Sequence, residues 1–240
     1  MKKQLNTKTN MEKAKKIEGL DNIIIYDTDA EILTPVETIY AQLKAMEEGG
    51  RTCYKSENLI TEDSHKRFLK MLIDRHHESV LEHSCISVKL RTNLGVAREL
   101  ERHRHSNILN DHLMALSCES TRYVNQGKEK FGRAIALCPG PLEDSSLYKE
   151  MFESINNIAG VYLKLADRGV KPDTLRALLP LWCKADMVFS GSIREWRAVL
   201  KLRLSKAAHR DVRFLMMILA NKFMKIMPEI FEDIVKECRD

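Results

Sequence analysis

Apolar residues recur along the chain with both strand and helix spacing, which predicts a mixed α and β protein. Residues 22–26 form a short β-branched run that predicts a buried strand, followed by a turn at 27–29. Residues 84–90 alternate apolar and polar positions, as a half-buried strand does, and a third strand is expected around 182–189. Helical spacing predicts further segments at 34–50, 61–75, 92–104, 147–166, 192–204 and 207–227.

Three of these helices carry identifiable end signals or faces. Thr34-Pro35 suits a helix start, and the Gly49-Gly50 pair suits its stop. Thr92 or Asn93 is expected to cap the third helix, whose last turn carries Arg-His-Arg. The helix over 147–166 is expected to bury one face, formed by Met151, Ile155, Ile158, Tyr162 and Leu165.

The 240 residues show no internal repeat and no Pro-, Gly- or Ser-rich linker that would divide them. We therefore expect one α+β domain over 21–240, with a central, largely antiparallel sheet flanked by helices. A polar, Lys-rich extension over 1–20 is expected to precede it, with order beginning near Asn22.

Composition argues against several classes of protein. The longest apolar run is 214–220, far shorter than the roughly 20 residues of a membrane span. The first twenty residues contain no apolar stretch suited to a signal peptide, so a cytoplasmic location is expected. Those residues also carry most of the net charge of +5, which weakens a nucleic-acid interpretation based on bulk charge. The six cysteines form no C-x-x-C pair and are expected to be reduced and mostly buried.

The candidate chemistry is concentrated in two short segments. Arg102-His103-Arg104-His105 closes a half-apolar helix, and it suits either a helix C-terminal cap or an anion site. Residues 117–123 then place Ser120, Thr121 and Arg122 together, although Ser-x-Arg alone is weak evidence for phosphate binding. Cys118 has no evident base and is expected to be an inert thiol. The histidines of 77–83 lie six apart, which argues against a metal site, and no metal is expected.

Taken in order, these segments resemble the flavin-dependent thymidylate synthases. The hallmark of that family is Arg-His-Arg followed by Ser-x-Arg-Tyr, and residues 102–104 and 120–123 match both parts. The resemblance continues in 51–54, 77–83, 176–180, 192–194, 202–203 and 209–213, so it covers roughly 22–225. Each motif is weak by itself, but their common order is specific.

The resemblance implies a homotetramer with active sites at subunit interfaces. It further implies methylation of dUMP to dTMP, with methylenetetrahydrofolate as carbon donor and FAD, reduced by NADPH, as hydride donor. Arg203 and Ser120 are implied as catalytic residues. The implied dUMP set is Glu99, Arg102, Glu119, Ser120, Thr121, Arg122, Arg176 and Arg203. The implied FAD set is His77, Ser79, Glu82, Arg102, His103, Arg104, Ser192, Arg194 and Leu202.

The chain departs from the family pattern at several positions. Glu99 replaces a common Gln, and a carboxylate there is expected to repel a phosphate unless it is protonated or paired with Arg98 or Arg102. An insertion is expected within 105–112, and Ser192, Ala198 and Ala207 replace the usual Asn, Asn and His. Two alternatives stay open: a flavoenzyme of the same fold acting on another pyrimidine nucleotide, and a non-catalytic nucleotide or nucleic-acid binder.

Overall fold

A computed structural model describes residues 14–105, 114–129, 132–142 and 148–238, without the side chains of Arg104 and His105. The chain divides into two compact units. The first unit is made of the described residues of Met1–Asp29, Thr92–Leu94 and Glu119–Ala185. The second unit is made of those of Ala30–Arg91, Gly95–Cys118 and Asp186–Asp240. Each unit gathers several separate stretches of chain, so no single linker in the sequence marks the division.

The first unit contains a three-stranded sheet and one long helix. The strands are β1 (Ala14–Lys15), β2 (Ile23–Tyr26) and β6 (Ile135–Leu137), with β1 antiparallel and β6 parallel to β2. Helices α4 (Lys149–Asp167) and α5 (Pro172–Leu175) belong to the same unit. Its core joins both β2 and β6 to the inner face of α4, including Phe152, Ile155 and Tyr162.

The second unit contains most of a four-stranded sheet in the order β3-β4-β7-β5. These strands are β3 (Asp29–Ile32), β4 (Ile86–Asn93), β5 (Ala115–Cys118) and β7 (Lys184–Gly191), with β5 antiparallel to β7. Its helices are α1 (Val36–Tyr54), α2 (Ser64–Asp74), α3 (Leu94–Glu101), α6 (Ile193–Leu204), α7 (Arg210–Ile226) and α8 (Pro228–Glu237). The predicted α+β class is confirmed, although the described residues form two sheets where one central sheet was expected.

A run of aromatic rings anchors α6 inside the second unit. Trp196 contacts Phe189 of β7 and Phe223 of α7, with ring centroids 5.7 and 5.8 Å apart. The Trp196 indole also donates a hydrogen bond of 2.9 Å to the Ile86 carbonyl of β4. These contacts fix the position of α6, which carries several of the predicted ligand residues.

The predicted stop of the first helix at Gly49-Gly50 is wrong, because α1 continues to Tyr54. A Cβ atom on Gly50 would lie 2.7 Å from the Phe68 ring, so this glycine allows α2 to pack closely against α1. The helix ends instead at Lys55, which adopts the left-handed conformation. Thr34 does not cap the helix; its hydroxyl accepts from the Ser87 amide at 2.8 Å.

Several other boundaries differ from expectation. Residues 14–15 already pair with β2, although order was expected to begin only near Asn22. Strand pairing uses backbone N–H and C=O groups, so a polar segment can also pair. On α4 the buried face is rotated from the predicted one, so Met151 and Ile158 are exposed. The charged segment β3 and the final helix α8 were not predicted. The boundary between a 1–20 extension and a 21–240 domain stays a prediction.

Candidate active site

The two predicted ligand sets are distributed differently between the units. All of the predicted flavin residues belong to the second unit. The predicted dUMP residues belong to both: the second unit holds Glu99, Arg102 and Arg203, and the first holds Glu119, Ser120, Thr121, Arg122 and Arg176.

The best-defined polar arrangement of the second unit surrounds Arg203. Glu99 on α3 and His103 in the 3₁₀ turn after it lie four residues apart, so both face the same side of this segment. Arg203 Nε donates to His103 Nε2 at 2.7 Å, and Nη2 donates to the Glu99 carbonyl at 2.8 Å. Nη1 lies 3.4 Å from the Glu99 carboxylate. Glu99 was expected to pair with Arg98 or Arg102; its partner is Arg203.

The position of Arg203 on α6 explains how its head group reaches this place. Val199 and Leu200 lie on the buried face of α6, and Arg203 follows them at the edge of that face. Its side chain is only 16% exposed, unlike an ordinary surface arginine. A guanidinium has five N–H donors, and three are used by the bonds to His103 and Glu99. Two donors remain for a ligand, as far as the described residues show.

His103 is a neutral acceptor in this arrangement. Burial lowers the pKa of His103 to about 4, and the nearby positive charge of Arg203 adds to the effect. The unprotonated Nε2 can therefore accept from Arg203 at neutral pH, which places the ring proton on Nδ1. His103 was predicted as a flavin residue and Arg203 as a dUMP residue, and the structure links the two directly.

The predicted flavin residues form two further pairs. Arg194 on α6 makes an ion pair with Glu82, which lies in a 3₁₀ turn between α2 and β4. His77, just before that turn, shares a hydrogen bond of 2.9 Å between its Nδ1 and the Tyr54 hydroxyl. The side chains of Ser79, Arg102 and Leu202 are exposed.

Ser192 begins α6 with a capping box, in which its hydroxyl and the Glu195 carboxylate each accept from the other's backbone amide. The next amide, that of Ile193, donates to the Ser84 hydroxyl at 2.9 Å. The Ser192 hydroxyl therefore already accepts a hydrogen bond within the helix start, and the sequence motif alone does not show this role.

The predicted phosphate loop lies after β5 in the first unit. The Ser120 carbonyl accepts from the amides of Tyr123 and Val124, and the Ser120 hydroxyl accepts from the Arg122 amide at 3.3 Å. This turn leaves Arg122 and Tyr123 exposed. Arg176, at the end of α5, is exposed as well.

Glu119 forms an ion pair with Lys184, which was not among the predicted site residues. The Lys184 ammonium lies 2.8 Å from the Glu119 carboxylate, and both side chains are largely shielded from solvent. No sequence signal joins two residues 65 positions apart. The side chain of Arg104 and the expected insertion after it lie outside the described residues.

The cysteines are all free thiols, but only Cys138 and Cys183 are buried. The expectation that most are buried is therefore wrong. The described residues include no cluster of three or more His, Cys, Asp or Glu that could hold a metal ion. Within the same part of the chain, no helix is long and apolar enough to cross a membrane.

Comparisons with known proteins agree on one family. The family model for thymidylate synthase complementing proteins matches residues 36–229. A probable flavin-dependent thymidylate synthase of Mycobacterium phage L5 is 32% identical in an alignment of length 197 that covers 77% of this chain and 77% of the relative. A second, from Mycobacterium phage D29, is 30% identical over 212 residues, covering 84% of this chain and 87% of the relative.

Solved structures show the same fold at lower identity. Thymidylate synthase X from Helicobacter pylori, crystallised with FAD and dUMP, superposes with a TM-score of 0.67 at 21% identity, over 87% of this chain and 99% of that one. A UMP/dUMP methylase from Streptomyces cacaoi, bound with 5-Br dUMP, superposes with a TM-score of 0.65 at 18% identity, over 87% of this chain and 95% of that one. Because the family model matches most of the chain and the family's motifs occur in order, the chain belongs to the flavin-dependent thymidylate synthase family.

Proposed function

We propose that this protein converts dUMP to dTMP by reductive methylation, with methylenetetrahydrofolate as carbon donor and NADPH as the source of reducing equivalents. Family membership and the names of the phage relatives support the reaction. The structural observation that carries it is the fixed guanidinium of Arg203, held by His103 and Glu99. In this reaction a carbon–carbon bond forms at C5 of the uracil, and the C5 hydrogen leaves as a proton.

Arg203 is proposed to face the uracil ring and to stabilise negative charge that develops on it. A guanidinium fixed by two short bonds does not have to reorganise when that charge appears, which is the condition for effective electrostatic catalysis. Its two remaining donors, one on each Nη atom, can bond oxygen or nitrogen acceptors of the ring. Partial burial strengthens the effect, because fewer water molecules screen the charge.

Ser120, Thr121 and Arg122 are proposed to hold the nucleotide phosphate, with Arg102 and Arg176 completing the anion site. The turn at Ser120 leaves the Arg122 head group exposed, so it is available to a ligand. Glu119 is proposed to contact the nucleotide from a position fixed by Lys184. Ser120 is the second proposed catalytic residue, through its place in this loop.

The residues of the second unit suit an anionic dinucleotide such as FAD. Arg102 and Arg194 offer guanidinium donors, and α6 presents an N-terminus whose dipole favours negative charge. The remaining proposed contacts are His77, Ser79, Glu82, His103, Arg104, Ser192 and Leu202. Reduced FAD would supply the hydride that turns the transferred methylene carbon into a methyl group.

Assembly and location complete the proposal. We propose a homotetramer, in which the exposed Leu202 and Arg102 would meet residues of neighbouring subunits. Six free thiols suit a reducing compartment, which supports a cytoplasmic location. Light scattering after gel filtration tests the assembly, since a monomeric active enzyme would contradict it.

The decisive experiment is a visible spectrum of the protein after incubation with FAD and desalting. The proposal expects retained flavin that bleaches with NADPH under anaerobic conditions and reoxidises only when dUMP and methylenetetrahydrofolate are both present. Arg203→Ala should leave flavin retention intact and lower dUMP turnover by about 10²–10³. Protein that retains no flavin at any FAD concentration would contradict the enzyme assignment and favour a nucleotide binder.

A second candidate is methylation of a different pyrimidine nucleotide. Glu99 replaces the family's common Gln, and a structural neighbour is a UMP/dUMP methylase. The pairing of Glu99 with Arg203 offsets its charge, which favours dUMP as the first choice. Turnover on dUMP, UMP, dCMP and CMP under identical conditions separates the two, since inactivity on dUMP with turnover of another nucleotide supports the second.

A further inference from the structure

A cleft of about 500 Å³ lies in the second unit, where the end of α1 meets α2. None of the residues that line it belongs to the predicted dUMP or FAD sets. They combine three arginines with an apolar and aromatic floor: Arg51, Tyr54, Ser56, Arg67, Phe68, Met71 and Arg75. Such a lining suits a ligand that has both a flat body and negative charges.

Arg51 builds the inner wall of this cleft and is already neutralised. Its Nε lies 2.8 Å from the Glu47 carboxylate, and both side chains are buried. The Ser64 hydroxyl donates to the other Glu47 oxygen at 2.8 Å. The Arg51 guanidinium also covers the Phe68 ring, 4.4 Å from its centroid. Arg51 therefore shapes the cleft, and the charge available to a ligand comes from elsewhere.

Arg67 and Arg75 supply that charge. Both are exposed, and neither forms an ion pair with any described carboxylate. The nearby acids of this helix are used by other cations, since Asp63 pairs with Lys66 and Asp74 with Lys70. Arg67 lies in α2 and Arg75 directly follows its last residue, and the eight positions from one to the other separate their backbones by about 12 Å. The pair therefore suits an elongated ligand with at least two negative groups.

Tyr54 connects this cleft to the proposed flavin residues. It lines the cleft, and its hydroxyl lies 2.9 Å from His77 Nδ1. One lining residue of the cleft is therefore in direct contact with a proposed flavin residue. A co-substrate that delivers a hydride or a one-carbon unit beside the flavin has this shape, with a flat ring at one end and an anionic tail at the other.

We infer that the cleft binds the polyanionic tail of a co-substrate, with Arg67 and Arg75 as its charge contacts and Phe68 and Met71 as its floor. This inference rests on the proposed function, which requires two such co-substrates. Their shared chemistry is a flat ring followed by several negative charges: phosphates in NADPH, and carboxylates in a folate with several glutamates. The two sources are separated by the test.

The test is isothermal titration of FAD-loaded protein with NADP⁺, NAD⁺, and tetrahydrofolate carrying one or three glutamates. The Arg67→Gln/Arg75→Gln double variant should bind either NADP⁺ or the triglutamate about tenfold or more weakly than wild type, since two charged contacts are removed. A loss of affinity for NADP⁺ identifies the dinucleotide as the ligand of the cleft. A loss of affinity for the triglutamate, with little change for the monoglutamate, identifies the folate. The weakening should shrink at high salt, because both arginines are exposed.

Lys70→Gln is the control: it removes one positive charge from α2 outside the cleft, at the lysine that pairs with Asp74, and should weaken binding less than the double variant does. Affinities within about twofold of wild type in the double variant would overturn the inference, as would equal weakening by Lys70→Gln. Wild-type protein that binds neither co-substrate would also overturn it. Binding needs no turnover, so a protein that binds co-substrate at these arginines but does not methylate dUMP refutes the proposed function alone.

Discussion

The hydrogen bond between Arg203 and His103 makes a quantitative prediction about turnover. His103→Phe removes the Nε2 acceptor, so the largely buried Nε–H of Arg203 loses its partner. Arg203 keeps its bonds to the Glu99 carbonyl and, at 3.4 Å, to the Glu99 carboxylate, but both hold the Nη end of the guanidinium and none then holds Nε. The positive charge therefore stays in the site, but its orientation is no longer fixed.

The size of the effect follows from the bond that is lost. A hydrogen bond to a charged group contributes about 1.5–3 kcal/mol, and tenfold in rate corresponds to about 1.4 kcal/mol. If that energy is expressed in the transition state, His103→Phe lowers kcat/KM for dUMP by about 10- to 150-fold. His103→Gln should recover part of the loss, because its amide oxygen can accept from Arg203.

The assay is a double-mutant cycle on dUMP turnover at saturating FAD, so that weaker flavin binding does not enter the rate. If His103 acts through Arg203, the His103→Phe/Arg203→Ala protein should be no slower than Arg203→Ala, within about twofold. Circular dichroism checks that each variant is folded. Additive losses in the double variant, or a His103→Phe enzyme within about threefold of wild type, would refute the reasoning.

Three further predictions concern stability and are measured by urea unfolding. Glu47→Ala leaves the buried Arg51 without its ion-pair partner and should cost about 3–5 kcal/mol. Lys66→Ala removes an exposed ion pair and should change stability little, so equal losses in the two variants would contradict this account. Lys55→Gly should stabilise the protein by about 1 kcal/mol, because Lys55 has a φ of 50° at the end of α1, where glycine is unstrained; a loss would show that the lysine side chain contributes there. The pKa of His103 is lowered from 6.5 to about 4 in the folded protein, so the unfolded chain binds more protons between these values. Stability should therefore fall as the pH drops from 6.5 towards 4, and His103→Gln should reduce that slope; an unchanged slope would exclude His103 as its cause.

Local physical chemistry was enough to predict many of the regular elements. The alternation over 84–90 identified β4, because a strand with one buried face must repeat every two residues. Helices α2, α6 and α7 were recognised from apolar spacing, with ends that differ by a few residues. The charged segment β3 was missed, since its pairing relies on backbone groups and carries no apolar pattern.

At other positions, contacts with residues from elsewhere in the fold decided the local structure. The pair Gly49-Gly50 reads as a helix stop in the sequence, yet Gly50 lies inside α1 because the Phe68 ring occupies the space of its side chain. Tertiary packing thus overrode a local preference worth only about 1 kcal/mol. For the same reason the buried face of α4 is offset from the one that its sequence suggested.

By itself, the sequence determined the α+β class, the family motifs and the candidate residues, because all three are expressed in local order and spacing. Only the tertiary structure decided that Glu99 and His103 hold Arg203, that Lys184 neutralises Glu119, and that Arg67 and Arg75 border one cleft. The contacts of Arg203 and Lys184 join residues far apart along the chain, and no local pattern encodes which distant partner satisfies a buried charge. The folded core makes that choice, since an uncompensated charge there costs more than any local preference can offset.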